Sequence, residues 1–172
     1  MKAITIYQPW ASLIAAGAKK YETRSWHTSY RGPIAIHAGK TIPSNVLGSA
    51  DFTFIQNALV ALGLKDERQS DISVRGLSTL DKLPCGAIIA TTELVECWKC
   101  ETKTMIGDRY LRKYTRRAGE PVVTISIPQN SREMLFGDFS MGRFAWEFAN
   151  LKLLPEPIPV RGQQGLWEWR AA

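Results

Sequence analysis

Short extended segments, each bounded by glycine, proline or another turn-forming residue, are the feature that most constrains the fold of this chain. KAITIY, at residues 2–7, alternates apolar and polar side chains and contains β-branched residues, which is typical of a strand. GAIIATTELVECW, at residues 86–98, is the most strand-like stretch. Such segments outnumber the helical ones, so the sequence predicts an α+β domain built on a mixed, barrel-like sheet. The predicted strands are residues 2–7, 20–26, 34–38, 86–98, 143–153 and 165–169.

Two or three helices are predicted beside these strands. Pro9 suits the first turn of a helix, the apolar residues after it recur at helical spacing, and Gly17 suits the end of that helix. Further helices are predicted within residues 44–62 and 131–136, with Glu133 in the first turn of the second.

Three alternating prolines, at positions 155, 157 and 159, predict that the ladder of residues 143–153 does not continue beyond them. A length of 172 residues suits one domain, so we expect a single domain over residues 1–172. Residues 64–85 and 99–129 fit that domain as insertions, because their patterns are polar or strongly charged.

Net charge and composition restrict the partners and the compartment. A formal charge of +6 and a pI of about 9.4 favour anionic partners, above all nucleic acid. The chain lacks any run of about 18 apolar residues and begins without a signal-peptide pattern, so we expect a cytoplasmic protein without membrane contact. Three cysteines fit reduced thiols better than a disulfide framework.

Cofactor motifs are missing from the sequence. Neither a P-loop nor G-x-G-x-x-G occurs, so no nucleotide cofactor is indicated. Cys97 and Cys100 form a C-x-x-C pair, but only Cys85 and two histidines remain to complete the four ligands of structural zinc. The sequence therefore predicts neither a metal nor a cofactor.

The run GAKKYETR carries the charges that most resemble a site. Glu22 and Arg24 lie two residues apart on an extended segment and therefore share one face. They offer an acceptor and donors to a base or a phosphate. Lys19, if desolvated beside Arg24, would have a lowered pKa and serve as base or nucleophile, with Glu93 as a partner from another strand. The alternative is a structural ion pair around a tight turn.

Candidate RNA contacts lie in three further places. Trp10 and Trp26 flank the charged run, where they would stack on bases or fill the core. His37 is either a hydrogen-bonded core residue or, beside Lys40, a phosphate contact. Three arginines would form a phosphate-binding stripe if their segment is helical, and otherwise a solvated face: Arg109, Arg112 and Arg116.

Five sequence blocks occur in a recognisable order: YQPWASLIAAGAKKYETRSW, RGPIAIHAGK, GAIIATTELVECW, MGRFAWEF and PVRGQQGLWEW. Together, over residues 4–169, they resemble the ASCH domain, a family named for homology to the activating signal cointegrator. The resemblance implies a PUA-like mixed β-barrel with peripheral helices, and an association with RNA. The most specific mark is G-x-K-x-x-E-x-R, which begins at Gly17.

The amidohydrolase branch of that family uses this lysine, a threonine three residues later and a glutamate from a later strand. The resemblance places the lysine at Lys19 and the later glutamate at Glu93 or Glu96. At the threonine position this chain has Glu22, with Thr23 next to it, which departs from the family's catalytic pattern.

The sequence therefore predicts an RNA-associated domain that binds RNA or nucleotides in a basic cleft at the mouth of a small barrel. The alternative is a hydrolase of RNA or of an N-acylated cytidine that uses Lys19, Glu22 and Glu93. A second alternative is a protein-interaction module, in which the basic run is only solvated.

Overall fold

Strands make up most of the regular structure in the part of the chain that the computed structural model describes, residues 1–41, 43, 83–102, 109–113, 123–128 and 131–170. Eight strands and two short helices lie within these ranges, which confirms the predicted α+β, PUA-like fold class. The elements are β1 Lys2–Ile6, α1 Trp10–Ala15, β2 Tyr21–Arg24, β3 Gly32–Ala38, β4 Ala87–Thr102, β5 Arg109–Lys113, β6 Thr124–Ile127, α2 Arg132–Phe136, β7 Phe144–Pro159 and β8 Leu166–Glu168.

Two compact units divide the chain. Unit 1 comprises Met1–Ala18, Pro33–Thr92 and Leu151–Ala172, and unit 2 comprises Lys19–Gly32 and Glu93–Asn150. The long strands β4 and β7 run through both. The prediction of one domain with insertions at 64–85 and 99–129 stays a prediction.

In unit 1, β1 lies between β3, its parallel neighbour, and β8, its antiparallel neighbour. Parallel and antiparallel pairing in one sheet makes the sheet mixed, as the sequence predicted. Its apolar side chains pack into a core cluster that consists of Ala3, Ala35, Ile88, Trp167 and Trp169.

In unit 2, β2 pairs antiparallel with the first residues of β7, and β4, β5 and β6 follow one another as antiparallel neighbours. Aromatic side chains dominate the core of this unit, since large rings bury much apolar area in a small domain. The buried cluster consists of Tyr21, Trp98, Cys100, Ile127, Phe139 and Ala145.

Helix α1 ends where the sequence predicted. Gly17 adopts a φ of +76°, a conformation that glycine reaches without the steric cost of a Cβ atom. The Gly17 N–H donates to the Ile14 carbonyl at 2.8 Å, and the Ala18 N–H donates to the Leu13 carbonyl at 2.9 Å. Helix α2 confirms the short helix predicted at residues 131–136, whereas residues 44–62 lie outside the described part of the chain.

Strand β7 corrects one prediction, because it continues through all three prolines to Pro159. In a strand, the N–H groups of alternate residues point to the same side. Prolines at 155, 157 and 159 therefore remove donors from one side only, and the donors of the other side remain. Val160, on that other side, donates its N–H to the Gly86 carbonyl at 3.0 Å.

We expect Ile158→Pro to lower the free energy of unfolding by about 1–3 kcal/mol, because β4 is a hydrogen-bonded neighbour of β7 and the proline removes an N–H on the same side as that of Val160. Leu153→Pro is the matched control, since residue 153 shares the side of the natural prolines. Urea unfolding measures both. Equal losses in the two variants would contradict the one-sided arrangement.

Candidate functional site

The predicted charged motif lies at the start of β2 in unit 2. Antiparallel pairing with β7 sets Glu22 opposite Trp146 and Arg24 opposite Phe144. Trp146 is fully buried, so the strand that carries the motif is fixed against the core of the unit. Lys19 precedes the strand, and its side chain turns back towards it.

Lys19 is buried, with only 2% of its surface exposed. Its Nζ donates a hydrogen bond to the Tyr21 carbonyl and lies 3.8 Å from Glu22 Oε2. Burial lowers the pKa of Lys19 below its ordinary value of 10.5, and this effect outweighs the opposing carboxylates of Glu22 and Glu133. The predicted desolvation of this lysine is therefore present in the structure.

Glu22 joins two cations. Arg24 Nε lies 3.3 Å from Glu22 Oε1, which confirms that the two side chains share a face of the strand. The Glu22 side chain is 12% exposed and that of Arg24 is 27% exposed. We call Lys19, Glu22 and Arg24 the β2 charge cluster. Exposure increases along it, so Arg24 presents more surface to a ligand than Lys19 does.

Glu133, on α2, is the residue near this cluster that the sequence did not assign to a site. Its Oε1 accepts the Lys20 N–H at 2.5 Å, and its Oε2 accepts the Tyr21 N–H at 3.3 Å. Burial raises the pKa of Glu133, although these hydrogen bonds and the charge of Lys19 oppose the shift. The sequence predicted Glu133 only as an acidic residue in the first turn of a short helix. A separation of 112 residues from Tyr21 left no local pattern to connect them.

Lys20 contrasts with its neighbour Lys19. It is exposed, and its Nζ lies 2.6 Å from Glu147 Oε1. The hydrogen bond with Glu147 is the main cause that raises the pKa of Lys20. Adjacent lysines therefore have pKa shifts of opposite sign.

The predicted stacking tryptophans differ in their surroundings. Trp26, just beyond β2, is partly exposed and meets the Trp146 ring edge to face, with a centroid distance of 4.6 Å. Its carbonyl accepts the Trp146 Nε1–H at 3.4 Å. One part of Trp26 is therefore anchored and another part faces solvent. Trp10 lies on α1 in unit 1 and is also partly exposed.

Glu93 and Glu96, the two candidates for the later glutamate, both lie on β4, and each has a side-chain partner from another segment. Glu93 Oε2 accepts a hydrogen bond from Asn150 Nδ2 at 2.8 Å. Glu96 forms an ion pair with Arg31 and accepts the Cys97 N–H at 2.9 Å. The carboxylates whose charges act on Lys19 are those of Glu22 and Glu133, and a catalytic role for Glu93 stays a prediction.

The remaining predicted contacts fall elsewhere. Arg109 and Arg112 lie on β5, which is a strand, so the helical spacing behind the proposed stripe does not apply to them. Arg116 lies outside the described residues. His37 and Lys40 line one cavity of unit 1, as their sequence proximity suggested.

Comparison with known proteins gives one family. A family model described as "ASCH domain" matches residues 4–131 of this chain. Activating signal cointegrator 1 from Homo sapiens is 46% identical over 41 residues, which is 24% of this chain and 7% of that protein. The Mus musculus protein of the same name matches with the same identity and the same coverage. The chain thus spans a small fraction of the length of these relatives. In the described residues, no helix is long and apolar enough to cross a bilayer.

We expect the contribution of Lys19 to the free energy of unfolding to increase as the pH rises. Because its pKa is lowered by folding, the unfolded chain binds more protons between the folded-state pKa and 10.5, so stability increases across that window. Urea unfolding at several pH values from neutral to 10.5 measures this rise, and Lys19→Met removes it.

Lys20→Met is the control for that measurement. The pKa of Lys20 is raised by folding, so its contribution is constant below 10.5 and the slope with pH should not change. The same slope in wild type and Lys19→Met would show that Lys19 is not held in a desolvated site.

Proposed function

The chain belongs to the ASCH domain family, and from this we propose that it is an RNA-associated domain that recognises single-stranded RNA with the β2 charge cluster of unit 2. Arg24, which is partly exposed, supplies donors to phosphate or a base edge, and Glu22 supplies an acceptor beside it. The observation that carries the proposal is the unequal burial of the two cations. Lys19 is enclosed and bonded to the protein, while Arg24 is accessible.

Lys19 has a positional role in this proposal. Its ammonium lies 3.8 Å behind the Glu22 carboxylate, and its hydrogen bond to the Tyr21 carbonyl holds it there. Arg24 restrains the other carboxylate oxygen. Glu22 is thereby held in one orientation before a ligand arrives, which reduces the ordering cost of binding.

Trp26 supports recognition of unpaired bases. Its ring is anchored by Trp146 and remains partly exposed two residues beyond Arg24. Aromatic rings beside basic groups bind single strands, since bases stack on the ring while cations contact the backbone. The net charge of +6 adds attraction to any polyanion. A reducing compartment such as the cytoplasm suits the three cysteines, which form no disulfide.

We expect Arg24→Gln to weaken binding to a short single-stranded RNA of mixed sequence by roughly tenfold, because a charge-assisted contact is lost. The slope of log affinity against log salt should fall by about 0.7 for each phosphate contact removed. Fluorescence anisotropy at several salt concentrations measures both quantities.

Lys152→Gln serves as the control, because it removes an exposed lysine of β7 outside the cluster. A wild-type protein that does not bind the RNA, or an Arg24→Gln variant that binds as tightly as wild type, would refute the proposal.

A hydrolase is the second candidate function. The pKa shifts of Lys19 and Glu133 favour it. Burial lowers the pKa of Lys19 and raises that of Glu133, so both groups shift towards their neutral forms. A lysine and a glutamate shifted in this way are suited to proton transfer in general acid–base catalysis. The burial of Lys19 Nζ opposes direct contact with a substrate.

This candidate predicts turnover of single-stranded RNA or of an N-acylated cytidine by wild type and its loss in Lys19→Met, with products identified by mass spectrometry. Lys20→Met should retain turnover, since Lys20 is paired with Glu147 and exposed. Circular dichroism verifies that each variant is folded. Absence of product from wild type would refute the hydrolase and leave recognition as the function of the cluster.

A further inference from the structure

Unit 1 contains a cavity of about 810 Å³ that the proposed function does not use. It lies at the ends of β1 and β3 and beside the segment that follows β7. Two of its described lining residues are cationic and none is acidic, so it favours an anion. The lining residues that matter below are Thr5, Tyr7, His37, Lys40, Arg161 and Gln163.

His37 lies in the wall of this cavity as a buried ring that bonds to the neighbouring chain segment. The residue is 2% exposed, and its Nε2 lies 3.0 Å from the Val160 carbonyl. Because a carbonyl only accepts, Nε2 carries the proton and Nδ1 of the neutral ring is an acceptor. Nδ1 is buried and has no hydrogen-bond partner among the described residues. Burial lowers the pKa of His37, which keeps the ring neutral.

Gly162 packs directly against the Nδ1 and Cε1 atoms of the His37 ring. A Cβ atom at Gly162 would lie 2.3 Å from His37 Cε1 and 2.6 Å from His37 Nδ1, so only glycine allows this approach of the chain to the ring. Thr5 Oγ1 donates to the Gln163 carbonyl at 2.9 Å and accepts the Trp167 Nε1–H at 3.3 Å. Hydrogen bonds from Thr5 and His37 therefore fix residues 160–163 beside the cavity.

Tyr7 adds an accessible aromatic surface. Its ring packs against Gly39, where an added Cβ atom would lie 3.0 Å from Tyr7 Cδ1. The residue is nevertheless 53% exposed. An aromatic ring held in place at the edge of a basic cavity is suited to stacking against a planar ligand.

We propose that this cavity binds a nucleoside phosphate. The phosphate contacts Lys40 and Arg161, the base packs on Tyr7, and the buried His37 ring holds residues 160–163, which include Arg161, in position. The ligand is either a free nucleotide or the phosphorylated end of an RNA, which share this chemistry. The site lies in unit 1 and does not rest on the β2 charge cluster of unit 2.

Calorimetric titration of the whole chain with the common ribonucleoside 5′-monophosphates tests the proposal. We expect at least one nucleotide to bind, and the double variant Lys40→Gln/Arg161→Gln to bind it at least about tenfold more weakly, because two charge-assisted contacts are lost. Lys40 and Arg161 are exposed, so the variant should fold. Lys152→Gln/Arg170→Gln is the charge-matched control, because it removes two exposed positive charges outside the cavity lining.

His37→Gln tests the positioning role of the ring. Glutamine keeps a donor for the Val160 carbonyl but fills less of the space against Gly162, so nucleotide binding should weaken less than in the double variant. Tyr7→Leu should weaken binding of nucleotides but not of inorganic phosphate.

Three outcomes would overturn the proposal: no nucleotide binds, the double variant binds as tightly as wild type, or inorganic phosphate binds as tightly as every nucleotide. Competition by RNA with a 5′-phosphate, but not by the same RNA with a 5′-hydroxyl, would identify an RNA end as the source. Nucleotide binding without such competition would identify a free nucleotide. Nucleotide binding that is lost in Lys40→Gln/Arg161→Gln and kept in Arg24→Gln reports on this cavity, so failure here leaves RNA binding through Arg24 to its own test.

Discussion

Burial of the Lys19 ammonium group is the constraint around which the start of β2 is arranged. A lysine withdrawn from water is costly unless its charge and its three donors find partners. The Tyr21 carbonyl accepts a hydrogen bond from it, and the carboxylates of Glu22 and, from α2, Glu133 oppose its charge. Glu133 in turn holds the backbone N–H groups of Lys20 and Tyr21. A buried cation therefore ties together segments that are far apart in sequence.

This arrangement separates the two chemical roles that the motif was expected to have. A lysine that acts as a nucleophile needs access to its substrate, and Lys19 has almost none. Arg24 retains access and cannot lose its proton, which suits it to recognition. In the proposed function, the motif therefore has a buried half that fixes geometry and an accessible half that meets the ligand. Glu22, which this chain has where the resemblance places the threonine of the amidohydrolase branch, agrees with this division, because its carboxylate lies beside both cations.

Local periodicity made much of this structure predictable. Alternation identified β1 and the shared face of Glu22 and Arg24, and a glycine identified the end of α1. Contacts between distant segments could not be predicted in this way. Glu133 had only the pattern of a first-turn acid, and its partners lie more than a hundred residues away in the chain. The close approach of Gly162 to His37 is likewise a tertiary contact, and the sequence around either residue has no pattern that predicts it.

The three prolines of β7 have a consequence for association between molecules. Exposed strand edges attract further strands because they offer regularly spaced donors and acceptors. One side of β7 lacks the donor at positions 155, 157 and 159, while the other side keeps its pairing. A strand from another chain would find carbonyls there but no matching N–H groups, so a continuous ladder cannot form. The sequence thus protects a long, largely exposed strand from edge-to-edge aggregation without shortening it.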